Sequence, residues 1–328
     1  MIFNSSFRVA ALDIGTNSTR LLIAQRTDTR SVKTANEIAR LTRITRLGQS
    51  VDRDKNINES SLHRVIEVLL EYRDLMNKAG IDRYLAVGTS ALRDANNSDW
   101  FVEQVRSLTG IDVAIISGER EASLSFLGAT YDLGSDAKRD DMVLSDDRSI
   151  LVFDVGGGST EYILGKDHSI LLFESINVGC VRMYERFLRS DPPTEYELNE
   201  MLRFVEKIIV DTIMSINDIG ADIVIGTAGT ATNMSAMNLG IIKYDPKVIH
   251  MSRLSLNFIQ RQFKMLSSMT VEQRKQVIGL ELARADVIVG GVAVTMRTLE
   301  MLGKDELIVS EKDILDGIVL ELMGFDTR

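Results

Sequence analysis

The sequence repeats one local pattern at two places, and this repeat constrains the fold more strongly than any other feature. Each copy is an apolar run that ends in Asp, passes through a turn rich in Gly and hydroxyl residues, and leads into a second apolar run. The copies cover residues 10–18 and 151–161, with Asp13 and Asp154 at matching positions. A single Asp-x-Gly turn is common, because Gly allows positive φ and Asp caps its own backbone. Two copies about one domain apart predict two β-hairpins with a shared chemistry.

The two predicted turns carry groups that bind phosphate. Backbone N–H groups in such a turn form a concave anion site, and a nearby carboxylate can hold a cation that neutralises the phosphate. The candidate phosphate-binding residues are Gly15, Thr16, Asn17 and Ser18 in the first turn and Gly156, Gly157, Gly158 and Ser159 in the second. The candidate ligands of Mg²⁺ or Mn²⁺ are Asp13, Asp154 and Glu161. For Glu161, an exposed position at the start of a strand is the alternative.

The composition argues against several classes of protein. The single cysteine, Cys180, and the three widely spaced His residues predict neither an internal disulfide nor a Cys- or His-built metal site. The net charge of −9 disfavours nonspecific nucleic-acid binding, which needs a basic surface. No apolar run reaches the length of a membrane span, and the N-terminus lacks the pattern of a signal peptide. We therefore expect a cytoplasmic protein without nucleic-acid or membrane partners, in which Cys180 is a small buried residue.

Helix and strand patterns divide the chain into two α/β units, residues 1–128 and 129–310. The acidic stretch 132–148 predicts a surface excursion between them. A final helix, capped by Ser310, can return to the first unit. We expect strands at 8–14, 19–24, 84–87, 111–116, 222–225 and 307–309, hairpins at 150–164 and 169–177, a loop at 88–93, and helices at 58–78, 100–108, 119–127, 194–220, 283–302 and 311–326.

A third turn rich in Gly and Thr, residues 226–230, opens a predicted helix, and its Thr227 and Gly229 are further candidate phosphate-binding residues. The two hairpins, this turn and the duplication resemble the superfamily of actin, sugar kinases and heat-shock ATPases. More narrowly, the chain is similar to the exopolyphosphatase and guanosine pentaphosphate phosphohydrolase family. The further matches stand in family order over nearly the whole chain, at residues 46–48, 89–93, 116–122, 179–182 and 284–288 and at Ser310.

The resemblance implies two ribonuclease H-like, actin-like α/β lobes with mixed sheets that flank an interdomain cleft, so that Asp13 and Asp154 face each other across it. It also implies the short two-domain form, without the helical C-terminal region of longer relatives. One departure lies at residues 314–317, where Ile-Leu-Asp-Gly stands in place of the usual Leu-Arg-Glu-Gly. This departure, which includes Asp316, argues against a contact that relatives would make through a C-terminal Arg. The alternative is that this Arg has a surface role in the relatives.

The resemblance also implies roles for single residues. Glu121 corresponds to the catalytic glutamate that activates water. Glu119 is the competing choice, and a favourable charge at a helix start is the alternative for both. Arg93 follows a strand and a Thr-Ser turn, so it can clamp a phosphate, with a pair to Asp94 as the alternative. The positions of distal phosphate contacts are occupied by Arg20 and Arg284.

These features predict a hydrolase that releases terminal phosphate from inorganic polyphosphate or guanosine pentaphosphate with Mg²⁺ or Mn²⁺. Such hydrolysis needs charge neutralisation on the transferred group, an oriented water and a base. Two alternatives share the fold, namely a phosphotransferase of the acetate- or sugar-kinase type and a non-enzymatic nucleotide switch or filament protein. The setting of Glu121 in Ser-Gly-x-x-Glu-Ala favours the hydrolase. A homodimer is expected from the frequency of symmetric pairs and from the habit of the family.

Overall fold

The chain is divided into two compact units in the computed structural model. The structure describes residues 7–28, 33–49, 51–131, 148–166 and 169–324. The units are Met1–Gly128 with Ile314–Arg328, and Ala129–Asp313. Two separate stretches of chain therefore build the first unit. The predicted acidic excursion lies outside the described residues except for Arg148.

The first unit contains a mixed five-stranded sheet with the order β3-β2-β1-β4-β5. The elements up to residue 130 are β1 (Arg8–Ile14), β2 (Ser18–Asp28), β3 (Lys33–Ile44), α1 (Val51–Asp54), α2 (Glu59–Ala79), β4 (Arg83–Gly88), α3 (Ser90–Asp94), α4 (Ser98–Thr109), β5 (Val113–Ile115) and α5 (Gly118–Thr130). The central strand β1 is antiparallel to β2 and parallel to β4. The hairpin turn and the segment after β4 therefore meet at the carboxyl end of β1.

The second unit repeats this arrangement in a mixed six-stranded sheet with the order β10-β11-β9-β6-β7-β8. Its elements are β6 (Ile150–Val155), β7 (Thr160–Lys166), β8 (Ser169–Ile176), α6 (Cys180–Phe187), α7 (Glu195–Ile219), β9 (Ile223–Thr227), α8 (Ala228–Leu239), α9 (Pro246–Ile249), β10 (Arg253–Ser255), α10 (Leu256–Ser267), α11 (Val271–Arg274), α12 (Ile288–Leu302) and β11 (Glu306–Val309). Strand β6 is antiparallel to β7 and parallel to β9. It thus holds the same place in this sheet that β1 holds in the other.

The last helix, α13 (Ile314–Leu322), belongs to the first unit. Its predicted start at Glu311 is wrong, because Ser310 forms a tight turn instead of a helix cap. The N–H of Lys312 donates to Ser310 Oγ at 3.1 Å, and this hydroxyl donates to the Lys312 carbonyl at 2.9 Å. The hydroxyl of Ser310 is therefore engaged in this turn and does not cap α13, which begins at Ile314.

Strand β1 is buried on both faces, which explains its nearly continuous apolar sequence. Leu12 and Ile14 lie in a core cluster with residues of α2 and α4. Val9 and Ala11 lie in a second cluster with residues of α13. Asp13 is a buried carboxylate within this apolar run. A charged side chain is rarely buried unless it is paired.

The two long predicted helices are confirmed, and their ends follow from capping residues. Asn58 caps the start of α2, and Gly80 ends it in the left-handed conformation with φ of 62°. Thr194 starts α7 within a capping box. The predicted loop over 88–93 is wrong in part, because it contains α3. The predicted helix over 283–302 is a 3-10 turn followed by α12.

Candidate active site

The hairpin β1–β2 places Asp13 opposite Arg20 across the two strands. Arg20 donates from Nε and Nη2 to Oδ2 of Asp13, at 2.9 and 2.6 Å. Both side chains are largely buried, with exposed fractions of 5% for Asp13 and 15% for Arg20. A predicted metal ligand and a predicted phosphate contact thus neutralise each other within one hairpin.

The turn of this first hairpin has occupied carbonyls and open amides. The N–H of Gly15 donates to the carbonyl of Ser18 at 2.9 Å and closes the turn. The carbonyls of Thr16 and Asn17 accept hydrogen bonds from the segment 45–48. Within the described part of the chain, the N–H groups of Thr16 and Asn17 have no acceptor, and the buried side-chain amide of Asn17 has no partner. Unsatisfied donors at a concave turn are suited to an anion.

The hairpin β6–β7 places Asp154 opposite Glu161, at the positions that Asp13 and Arg20 hold in the first unit. Both residues are buried, with exposed fractions of 7% for Asp154 and 2% for Glu161. Oε1 of Glu161 accepts a hydrogen bond from Ser175 Oγ at 2.8 Å. Two adjacent carboxylates in a poorly solvated position repel each other, so a cation nearby stabilises them.

These two carboxylates are candidate metal ligands. Among the residues that the structure describes, no three or more His, Cys, Asp or Glu side chains cluster closely enough to hold a metal ion. Mg²⁺ commonly keeps several waters and is bound through one or two carboxylates together with substrate phosphates. Asp154 and Glu161 therefore fit Mg²⁺ or Mn²⁺ better than a metal that needs a complete protein cage.

The turn of the second hairpin repeats the hydrogen bonds of the first. The N–H of Gly156 donates to the carbonyl of Ser159 at 3.0 Å. The carbonyls of Gly156 and Gly157 accept hydrogen bonds from residues 180–182, at the start of α6. The N–H groups of Gly157 and Gly158 have no acceptor in the described ranges. Each unit therefore presents one turn with free amides at the end of its central strand.

A glycine from a later segment approaches each turn, and the sequence alone did not reveal this role. A Cβ at Gly48 would lie 2.2 Å from Cγ2 of Thr16, and one at Gly179 would lie 2.5 Å from the carbonyl oxygen of Gly157. Both glycines stand in segments that resemble the family, but the resemblance does not show what they contact. Close approach to the turn is the physical reason for glycine at both positions.

The third predicted turn joins β9 to α8 and has a strained backbone. Ala228 has a φ of 60°, which residues other than glycine rarely adopt. The hydroxyl of Thr227 is buried and has no hydrogen-bond partner. The guanidinium of Arg284 lies over Gly229, so that a Cβ there would be 2.1 Å from Arg284 Cζ. Strain and unsatisfied polar atoms beside a cation mark this turn as a further candidate anion site.

The carboxylate of Glu121 lies on the first turn of α5 and pairs with Arg93. Arg93 Nη1 donates to Oε2 of Glu121 at 2.5 Å and to the carbonyl of Ile116 at 3.2 Å. The exposed side-chain fractions are 13% for Glu121 and 22% for Arg93, so a ligand can reach the pair. Glu119, the competing choice, is exposed. The structure thus brings the predicted base and the predicted phosphate clamp into direct contact.

The sequence matches the model of the Ppx/GppA phosphatase family over residues 22–325. The chain belongs to this family. The predicted resemblance to exopolyphosphatases and guanosine pentaphosphate phosphohydrolases is therefore confirmed, and it extends over both units.

Individual Ppx/GppA proteins are similar to most of the chain. Exopolyphosphatase 2 of Mycobacterium tuberculosis is 38% identical over 326 residues, which cover 97% of this chain and 99% of that protein. A guanosine-5'-triphosphate,3'-diphosphate pyrophosphatase of Vibrio atlanticus is 27% identical over 96% of this chain and 59% of its own length. The crystal structure of the Aquifex aeolicus family member has a TM-score of 0.76 and 32% identity, covering 97% of this chain and 98% of that one. The predicted fold class, actin-like α/β units with mixed sheets, is confirmed.

The departure from the Ppx/GppA pattern at residues 314–317 has a structural reason. Leu315 is buried in the apolar cluster of the first unit. Oδ1 of Asp316 accepts a hydrogen bond from Arg40 Nη2 at 2.8 Å. In this member of the family the segment therefore anchors α13 through apolar packing and through the ion pair of Asp316 with Arg40.

The single cysteine of this Ppx/GppA chain, Cys180, is buried. Burial raises the pKa of the Cys180 thiol to about 11, so the thiol stays protonated near neutral pH. This agrees with its prediction as a small buried residue.

Within the described ranges, no helix is long and apolar enough to cross a membrane.

Proposed function

We propose that this chain hydrolyses the terminal phosphoanhydride bond of inorganic polyphosphate, with guanosine pentaphosphate as the second candidate substrate. The observation that carries the proposal is the second hairpin, where a turn with open amides follows the buried carboxylates Asp154 and Glu161. Phosphoryl transfer depends mainly on positioning and on neutralising the charge of the transferred group. An anion site next to a cation site supports both requirements.

The choice of polyphosphate as the first candidate comes from the relatives. The exopolyphosphatase of Mycobacterium tuberculosis corresponds to this chain over 99% of its length. The Vibrio pyrophosphatase, whose name specifies a guanosine substrate, corresponds to it over 59% of its length. We further propose that the protein is a cytoplasmic homodimer, as the sequence leads us to expect.

A divalent cation, Mg²⁺ or Mn²⁺, would be held by Asp154 and Glu161. When bound, it neutralises negative charge on the phosphate oxygens. Asp13 is a weaker candidate ligand, because the guanidinium of Arg20 already neutralises it. The first hairpin would then bind phosphate without a metal, and the second would bind phosphate together with a metal.

The chain's own donors and its base carry the remaining roles. The open amides of Thr16, Asn17, Gly157 and Gly158 bind phosphate oxygens, as does the guanidinium of Arg93. Water attacks the terminal phosphorus while Glu121 accepts its proton. The bond from this phosphorus to the bridging oxygen breaks, which releases orthophosphate and leaves the polyphosphate one unit shorter. Phosphates further along the substrate would be bound by Thr227, Gly229 and Arg284.

The variant Glu121→Gln tests the base. Gln keeps the size of the side chain and still accepts a hydrogen bond from Arg93, but it cannot take a proton from water. Turnover should fall by about two to four orders of magnitude while substrate binding remains. Glu119→Gln is the matched control, because Glu119 is exposed on the same helix turn, and it should alter turnover little.

Phosphate release from polyphosphate, guanosine pentaphosphate and ATP, measured side by side, provides the readout. Faster release from polyphosphate supports the first candidate, and faster release from guanosine pentaphosphate supports the second. Full activity of Glu121→Gln would refute the role of this residue. Release from ATP alone would favour a nucleotide-dependent function.

A further inference from the structure

Helix α13 contacts α5, the helix that carries Glu121, at very close range. A Cβ at Gly317 would lie 2.0 Å from the carbonyl oxygen of Leu124 and 2.7 Å from its carbonyl carbon. Both of these are backbone atoms, so a rotamer change cannot relieve the contact. Leu124 lies one turn of helix after Glu121. Any side chain at residue 317 must therefore shift the backbone that holds the proposed base.

Two further contacts join the same helices. Arg120, next to Glu121 in the chain, forms an ion pair with Glu321 of α13. The side chain of Leu124 lies in one apolar cluster with Ile314 and Ile318 of α13. The beginning of α5 is thus held at three points by the last helix.

The other side of α13 is fixed to the sheet that carries the first phosphate turn. Arg26 of β2 donates to the carbonyl of Met323 at 2.7 Å, just after the end of α13. Arg40 of β3 donates to Asp316 at 2.8 Å. Helix α13 therefore connects the strands that follow the first turn with the helix that carries Glu121.

We propose that α13 is a positioning element for the base, with Gly317 and Glu321 as positioning residues. The proposal rests on the proposed role of Glu121. The hydrogen bonds that hold the first turn come from Gly15 and from residues 45–48, which lie outside α13. A shift of α13 should therefore lower turnover without weakening substrate binding.

The variant Gly317→Ala provides the direct test. A misplacement of a catalytic group by about 1 Å can lower the rate about a hundredfold. We expect kcat for polyphosphate hydrolysis to fall by about ten- to a hundredfold, with KM within about twofold of wild type. Gly324→Ala is the matched control, since Gly324 has φ of 66° and an added Cβ there meets no atom within 4 Å. It strains the backbone just after the C-terminal end of α13 without displacing α5.

Glu321→Gln is the second variant, and it removes the ion pair with Arg120 without adding volume. Exposed ion pairs are weak, so kcat should fall about two- to fivefold with unchanged KM. Thermal unfolding of each variant shows whether it is folded. If Gly317→Ala does not fold, Glu321→Gln decides.

Three results overturn the inference. One is a wild-type kcat in the folded Gly317→Ala protein, or in Glu321→Gln if the first variant is unfolded. Another is a parallel rise in KM, which would indicate general damage to the unit. The third is an equal loss of kcat in Gly324→Ala. The proposed function fails separately, if Glu121→Gln remains active.

Discussion

The two hairpins have the same backbone arrangement but differ in the charges that face each other across the strands. Asp13 faces Arg20 in the first unit, whereas Asp154 faces Glu161 in the second. In both, the turn is closed by the same hydrogen bond and keeps two amides open. One cross-strand position therefore differs between the two turns, with an ion pair in the first hairpin and two carboxylates in the second. The comparison assigns the proposed metal to the second unit.

The variant Glu161→Gln should break this comparison most strongly. It removes one of the two carboxylates and leaves the turn intact. Because a bound metal is worth several kcal/mol of charge stabilisation, turnover should fall by about two to three orders of magnitude. Phosphate release measured against Mg²⁺ concentration, with a Mn²⁺ binding titration, gives the readout.

Glu174→Gln serves as the control for this variant, since Glu174 is an exposed acid on the neighbouring strand β8. It should leave the metal dependence as it is. A Glu161→Gln protein with the Mg²⁺ dependence of wild type would show that the carboxylate pair does not bind the metal.

Substitution of the two glycines that approach the turns should have unequal effects. The added Cβ in Gly179→Ala meets the carbonyl of Gly157, which is backbone, whereas the one in Gly48→Ala meets the methyl group of Thr16. A side-chain methyl can rotate away and a carbonyl in a turn cannot. We expect kcat/KM to fall about ten- to a hundredfold in Gly179→Ala, as for a misplaced substrate-binding group.

In Gly48→Ala the loss should be about two- to fivefold, equivalent to less than about 1 kcal/mol. Steady-state kinetics with polyphosphate and thermal unfolding of both proteins measure the difference. A greater loss in Gly48→Ala than in Gly179→Ala would contradict the assignment of a rigid second turn.

The smallest effect on activity is expected for Arg20→Gln. The substitution removes the ion pair with Asp13, so the free energy of unfolding should decrease by about 1–3 kcal/mol. Activity should fall by less than about twofold, and the Mg²⁺ concentration for half-maximal activity should not change. Denaturant unfolding and a Mg²⁺ titration of activity test both points. An altered Mg²⁺ requirement would mean that the first hairpin also takes part in metal binding.

The sequence predicts those parts of the fold that depend on local pattern. Helices α2 and α7 have long apolar periods and recognisable caps, and the hairpins have alternating strands around Gly-rich turns. The sequence pattern over residues 240–282 does not predict the elements found there, which are α9, β10, α10 and α11. Helices of four residues, such as α9 and α11, are too short to show a period.

The site shows the same division between local and distant information. The pairing of Asp13 with Arg20 follows from the register of the hairpin, so it can be predicted from the sequence. The pairing of Arg93 with Glu121 joins segments 28 residues apart, so the sequence predicts both residues but not their contact. The approach of Gly179 to Gly157 likewise depends on tertiary packing.

The split construction of the first unit has a consequence for its biosynthesis. Helix α13, which covers Val9 and Ala11 of β1, is translated only after the whole of residues 129–313. At about 5–20 residues per second, that interval lasts on the order of ten to forty seconds. Throughout it the nascent first unit lacks the helix that packs on Val9 and Ala11, so apolar side chains of β1 remain uncovered on that face. The second unit is continuous, so it can finish folding before the unit that was begun first.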